Sequence, residues 1–357
     1  MTRIAIDAMG GDHAPGEIVN GAVWAAHDYG VAIEFVGKQD KIERELDRIA
    51  NEGFVYDGSG VYKPKRIKIN LKELDIKITQ AEDVIEMGEA PGQAIRKKKR
   101  SSIVLAVDAV AKGSSDAVVA AGSTGAAMAA SLFGLGRLNG IERPAIAVTL
   151  PTMKKPVVLI DAGANTNSTP EMLYQFGVMG MFFSKHVLGI EKPRIGVLNI
   201  GEEAGKGDNL AQMAYKLFDE RAEKNSDEFQ FIGNIEGKEI FLGNCEVIVC
   251  DGFVGNVALK TIEGASSMLF HLIRHEFKKD LLSGIIGLLA KPAMKRIFER
   301  INYEEFGGAL LLGVKGVTVI SHGRSKAYAI KNAVRVAKEA VESGINKQIA
   351  EFNFNEG

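Results

Sequence analysis

Short, continuously apolar runs alternate with longer stretches in which apolar residues recur every three to four positions, and this alternation persists along almost the whole chain. The runs at 4–6, 32–36, 67–71, 117–121, 145–150, 157–160, 194–198, 247–249 and 314–320 predict strands. The periodic stretches at 18–28, 41–49, 102–112, 125–135, 170–187, 209–220, from about 256, and at 326–342 predict helices. Strands that are apolar on both faces belong in a mostly parallel sheet covered on each side by helices, an α/β architecture. Thr169, Pro170 and Glu171 have the cap, proline and acid preferences of a helix start. The segment 223–243 is less regular and reads as a small antiparallel excursion. With 357 residues and no low-complexity linker or repeat, the chain is one large unit or two intimately packed subdomains.

Ligands in such sheets gather beyond the carboxyl ends of strands, and the polar clusters of this chain sit there. The first is Asp7-Ala8-Met9-Gly10-Gly11-Asp12-His13-Ala14-Pro15. Gly10 and Gly11 permit close approach of a ligand, and Asp12 and His13 can orient each other or contact it; a turn with a helix cap is the plain alternative. Gly122-Ser123-Thr124 opens a helix, where backbone N–H groups suit an anion, as they also suit an ordinary cap. Asp161 and Asn165 follow another strand and are either site groups or an Asx turn. Glu202 and Lys206 lie in a glycine-rich loop at 199–207, a phosphate site or a solvated charged loop. Asp251, Asn256 and Lys260 mark a helix start, where Asn256 is an oxyanion donor or an N-cap. His322 follows the late strand as a rim contact, with Ser325 able to cap the last helix.

Several function classes are excluded or disfavoured. There are 44 basic and 45 acidic residues, so bulk charge gives no reason to expect nucleic acid. No G-x-G-x-x-G or Walker spacing occurs, nor a Cys/His cluster with metal-ligand spacing. Cys245 and Cys250 form no disulfide framework and fit a reducing compartment; Cys250 has no adjacent base and reads as a buried small residue. The amino terminus lacks a signal-peptide pattern, and no apolar stretch reaches the ~20 residues that span a bilayer.

The motif 7–15 resembles that of the bacterial phosphate acyltransferases of phospholipid synthesis. The resemblance extends through Arg143-Pro144-Ala145, Leu150-Pro151-Thr152, Asp161-Ala162-Gly163-Ala164-Asn165, the run 251–260 and Ser321-His322-Gly323, in one order across nearly the whole chain. It implies a three-layer α/β/α sandwich related to the phosphate acetyltransferase and isocitrate-dehydrogenase-like folds, assembled as a homodimer. It implies transfer of a long-chain acyl group from acyl-acyl carrier protein (acyl-ACP) to inorganic phosphate. The acyl phosphate would pass to a membrane glycerol-3-phosphate acyltransferase. That chemistry calls for no cofactor or metal. It suggests Lys206 for phosphate charge, Asn256 for orientation or oxyanion stabilisation, and His13 as a general acid. The substrate-binding set is Asp7, Gly10, Gly11, Asp12, Gly122, Ser123, Thr124, Asp161, Asn165, Glu202, Asp251, Lys260 and His322. An acyl-coenzyme A-dependent phosphate acyltransferase and a noncatalytic scaffold that binds ACP and membrane remain open.

The basic run Arg96–Arg100 and the pair Lys278-Lys279 are alternative docking surfaces for acidic ACP. The stretch 270–300 mixes apolar residues with Lys291, Lys295, Arg296 and Arg300, a pattern suited to reversible contact with a membrane surface, to a dimer interface or to an acyl tunnel. Pro292 is expected to break or restart its helix. The expected location is cytoplasmic, peripheral to the inner face of the cell membrane.

Overall fold

The computed structural model describes residues 1–56, 65–301 and 307–354, with backbone alone at 56, 65 and 298–301. Chain order begins β1 (Arg3–Asp7), α1 (Gly16–Tyr29), β2 (Ala32–Gly37), α2 (Gln39–Glu52), β3 (Phe54–Tyr56), β4 (Lys65–Ile67), β5 (Ile76–Gln80), α3 (Pro91–Lys97), α4 (Ser102–Ala111), β6 (Ala117–Ala120) and α5 (Thr124–Gly134). It continues with β7 (Ala145–Leu150), β8 (Val157–Ile160), α6 (Pro170–His186), β9 (Arg194–Asn199), α7 (Asn209–Ala222), β10 (Gln230–Glu236) and β11 (Val247–Val249). Then follow α8 (Gly252–Glu276), α9 (Leu281–Ile301), β12 (Ala309–Leu312), β13 (Val317–Ile320), α10 (Ala327–Ser343) and α11 (Ile345–Glu351).

Among the described residues, an eleven-stranded sheet has the order β10-β9-β11-β8-β7-β12-β13-β6-β1-β2-β5. Side-chain alternation divides its core between two faces. Ile4 and Ile6 of β1 belong to one continuous buried cluster with Trp24 of α1 and residues of α6, α7 and α10, whereas Ala5 belongs to another with residues of α3, α4 and α5. Leu159 and Ile248 meet α8 on that second face through Leu259 and Ile262. Helices on both faces of a largely parallel sheet make the expected α/β/α sandwich.

The two parallel halves run in opposite directions, because β7 and β12 between them each pair antiparallel with both neighbours. They are also offset lengthwise. Ile160, the last residue of β8, pairs with Ala147 of β7. Ile320, the last residue of β13, pairs with Ala309, whose neighbour Leu310 pairs with the same Ala147. The carboxyl ends of both halves therefore reach one level of the sheet, and their loops can line a single cleft.

Several expected elements differ. The run 67–71 is not a sheet strand: β4 ends at Ile67 and pairs antiparallel with β3, outside the main sheet. The sheet strand is β5, whose polar Lys77 and Thr79 bond Glu34; an edge strand is half solvated and need not be apolar. The segment 223–243 holds β10, parallel to β9, rather than an antiparallel excursion. The strand expected over 314–320 is β13 alone, and the short β12 precedes it. α8 begins at Gly252, not near Asn256. α9 passes through Pro292 without breaking. Ser325 does not cap α10, whose N-cap is Lys326 with no side-chain bond. The side chains of Phe298 and Arg300 lie outside the described residues.

Candidate functional site

A cleft of about 490 Å³ opens where the two halves meet. Ile146, Val148 and Leu150 of β7 and Ala309 of β12 contribute to its lining. Its other walls come from the start of α5, the loop after β8, one face of α8 and the loop after β13.

The loop after β8 is held by a buried carboxylate. Asp161 Oδ1 accepts from the backbone N–H of Ile146 (3.1 Å), Gly163 (3.0 Å) and Ala164 (2.8 Å). Asp161 Oδ2 accepts from Asn165 N (2.7 Å) and Asn165 Nδ2 (2.9 Å), and Asn165 Nδ2 also reaches Pro144 O. Burial nevertheless pushes the carboxyl pKa up, with these bonds acting in the opposite direction. Asp161 and Asn165 thus shape the wall rather than face the cleft, and Gly163 and Ala164 line it.

α8 seats on that loop. A Cβ at Gly255 would collide with the Asp161 carbonyl oxygen, so only glycine allows this approach. Asp251 is the N-cap, accepting from Phe253 N and Val254 N at 2.8 and 3.0 Å. With Asp251 supplying the cap, Asn256 projects from the helix into the cleft, beside the backbone of Gly163. Lys260, four residues on, lies on the same face and pairs with Glu263 at 2.8 Å.

α5 offers a different terminus. Its N-cap Ser123 bonds Ala126 N, and its first residue Thr124 lines the cleft. This cap is neutral, so the positive end of the α5 dipole is not offset by a capping carboxylate as in α8. Gly122 is buried against Gly10. The loop after β1 closes this side. Gly11 has φ +100°, and a Cβ there would stand 2.8 Å from Ala121 O. Asp12 N donates to Gly323 O at 2.8 Å. Asp7 is buried, accepts from Met9 N, and has a pKa raised by burial against bonds from Ser102, Met9 and Gly10. Its place is inside the loop, and it does not line the cleft.

His322 stands at the rim. Its Nδ1 accepts from Arg324 N at 3.3 Å, which leaves Nε2 to carry the ring proton of the neutral form. Burial lowers its pKa, Lys260 and Arg324 reinforce the shift, and Glu263 and Asp12 oppose it.

Of the sixteen candidate residues, the cleft lining includes Thr124, Asn256, Lys260 and His322. Asp161, Asn165, Asp251, Ser123, Asp7, Gly10, Gly11, Gly122 and Asp12 build or border its loops. His13, Glu202 and Lys206 are exposed and do not line it. Lys206 follows β9, which is separated from β8 by β11. The sequence reading missed Ser321: it is 3% exposed, lines the cleft, and its hydroxyl has no hydrogen-bond partner among the described residues. Its sequence signals are its place just after a strand and its membership of the Ser321-His322-Gly323 run. Glu263 was also missed, although its spacing from Lys260 puts both on one helix face. Cys250 is inert where it lies, its thiol pKa raised by burial and by the nearby Asp161 and Asp251 charges.

A family model described as "Fatty acid synthesis protein" matches residues 2–57 and 60–348. The phosphate acyltransferase of Halothermothrix orenii is 46% identical over 344 residues, covering 96% of each chain. That of Desulforamulus reducens is 48% identical over 357 residues, covering 100% of this chain and 98% of its own. The chain belongs to the phosphate acyltransferase family. Among solved structures, a phosphotransacetylase from Streptococcus pyogenes aligns with a TM-score of 0.61 at 13% identity, covering 96% of this chain and 94% of that one. A branched-chain phosphotransacylase from Enterococcus faecalis aligns at 0.57 and 14% identity, covering 96% and 99%. These likenesses show that this phosphate acyltransferase family member shares the phosphotransacetylase fold.

Proposed function

We propose that the cleft transfers a long-chain acyl group from acyl-ACP to inorganic phosphate, giving acyl phosphate and free ACP. The observation that carries this is the neutral-capped start of α5 lining one cleft with Lys260, His322, Asn256 and the unpartnered Ser321 hydroxyl. Phosphate sits at the α5 terminus, where backbone N–H groups and Thr124 supply donors. Lys260 offsets its charge, and the neutral His322 ring donates from Nε2. A phosphate oxygen attacks the thioester carbonyl carbon. Asn256 Nδ2 and Ser321 Oγ stabilise the oxyanion as it develops. The carbonyl re-forms, the C–S bond breaks, and the thiolate leaves to take a proton from solvent. Holding both substrates in one cleft removes much of the entropic cost of their encounter.

The same assignment includes a homodimer and reversible contact with a membrane surface. Supporting the latter, Leu281, Leu282, Ile285, Ile286, Leu288 and Leu289 are all exposed on α9. No described helix is long and apolar enough to cross a membrane. The product would serve a membrane glycerol-3-phosphate acyltransferase. Mass spectrometry of purified protein with long-chain acyl-ACP and phosphate tests the reaction. Phosphate-dependent acyl phosphate matched by free ACP is expected. Product from acyl-coenzyme A but not from acyl-ACP would overturn the donor, and no product from either would overturn the activity.

A further inference from the structure

The cleft holds a carboxylate that attraction for an anion does not explain. Among the described lining residues, Lys260 and Glu263 are the only side chains with a fixed charge. Glu263 Oε2 accepts from Lys260 Nζ at 2.8 Å, so the cation already has a partner of opposite sign on its own helix. Burial lowers the His322 pKa, so this ring adds no second positive charge near neutral pH. The described lining is therefore close to electrically neutral before an anion enters. A surface built only to attract a dianion would omit Glu263, because a carboxylate beside it repels. Helix stability does not account for the pair either. The Lys260 side chain is 48% exposed, and ion pairs open to solvent contribute little.

The chemistry of the carboxylate supplies a reason. An ionised carboxylate only accepts hydrogen bonds, and Glu263 Oε1 has no partner among the described residues. Tetrahedral oxyanions differ in what they can offer it. Inorganic phosphate keeps at least one proton near neutral pH and can donate it. Sulfate has the same shape and two charges but keeps no proton, so it can present only an oxygen of like charge.

We propose that Glu263 is a specificity-determining residue: it accepts a hydrogen bond from the P–OH group of phosphate and rejects oxyanions that carry no proton. This role rests on phosphate binding beside Lys260 in the cleft, as proposed above. Lys260 and the start of α5 then meet unprotonated oxygens, while the protonated oxygen is held at Glu263. The carboxylate thereby also fixes which oxygen is not the nucleophile, and an unprotonated one is left for the thioester.

The test is equilibrium dialysis of the full-length protein with radiolabelled inorganic phosphate, at neutral pH and constant ionic strength. Unlabelled arsenate and sulfate are the competitors. Arsenate, which keeps a proton, should displace phosphate at comparable concentrations. Sulfate should require at least ~100-fold more, because a site built to bond a hydroxyl rejects the analogue lacking it by orders of magnitude. In Glu263→Gln, sulfate should compete within ~10-fold of phosphate, since the amide can donate to sulfate while its carbonyl still accepts from phosphate. Circular dichroism checks that the variant folds, and the wild-type comparison stands by itself where it does not. A residue that only steadied Lys260 would lose both anions together, so a folded variant that binds neither overturns the proposal. A folded variant that keeps the wild-type preference overturns it too. So does equal competition by sulfate and arsenate against the wild-type protein, or no saturable phosphate binding to it. Acyl phosphate formation is scored separately. Protein that forms the product without discriminating against sulfate sinks this role alone, and protein that discriminates but forms no product sinks only the acyl-transfer reading.

Discussion

The loops after β8 and β9 begin alike, each leaving a parallel strand with acidic, amide and glycine residues, yet they become different objects. In the first, Asp161 gathers five hydrogen bonds and is fully buried. In the second, Glu202, Glu203 and Lys206 are exposed; Asn199 Nδ2 bonds Lys206 O, and Lys206 N bonds Glu203 O. The β8 loop is covered by α8 and borders the antiparallel strand β7, whereas the β9 loop lies farther toward the sheet edge. Polar residues at a strand end thus acquire a structural or chemical task only when a second element closes over them.

The sharpest way to break this contrast is catalytic. Lys260→Ala should lower kcat/KM for acyl phosphate formation about 100-fold, a loss typical of removing a charge-stabilising group from an active site. Lys206→Ala should change it only a few-fold. Steady-state kinetics with phosphate as the varied substrate checks both, and the reverse order would restore Lys206 to the site.

Stability gives the next contrast. Asp161→Ala leaves the backbone N–H groups of Ile146, Gly163, Ala164 and Asn165 without their acceptor and should cost about 3 kcal/mol or more, read as a lowered urea midpoint. Glu202→Ala should stay within about 0.5 kcal/mol, as for other exposed positions.

Ser321→Ala separates the cleft from the loop that supports it. Removing an unpartnered buried hydroxyl should leave stability unchanged or raise it by up to about 1 kcal/mol, while kcat/KM falls roughly tenfold. Loss of both stability and activity would show a structural role instead.

The smallest effect is a pH dependence. Burial of His322 disfavours its charged form in the folded protein, and its pKa is lowered from 6.5. Its contribution is therefore fully present above the unfolded value of about 6.5 and declines as pH falls through the window below it. His322→Gln should flatten that part of a stability–pH curve. Asp161 has the opposite sign. Its raised pKa favours the protonated form, so stability from this group is greatest below the ordinary carboxyl value of 3.8 and declines as pH rises through its folded pKa.

Much of the architecture was legible because hydrophobic periodicity is local. Thr169 caps α6 as its sequence implied, through Met172 N, and 247–249 is a strand with the expected bounds. β5 escaped notice because an edge strand carries Lys77 and Thr79, and β12 because four residues between glycines leave little pattern. Pro292 was expected to break or restart its helix, but α9 continues through it. In the site, Asn256 and Lys260 were legible together from their helical spacing, whereas Ser321 stood only inside the Ser321-His322-Gly323 run and was given no task until its hydroxyl was seen without a partner.

The amino-acid order alone determined that strands and helices alternate, that polar clusters follow the strands, and that the chain resembles its family from end to end. These are short-range patterns of side-chain spacing. Only the tertiary structure decided that two parallel halves oppose each other, that their carboxyl ends meet beside Ala147, and that Lys260 rather than Lys206 shares the cleft with Asn256. Strand order and register arise from contacts between residues far apart in sequence, which no local spacing specifies.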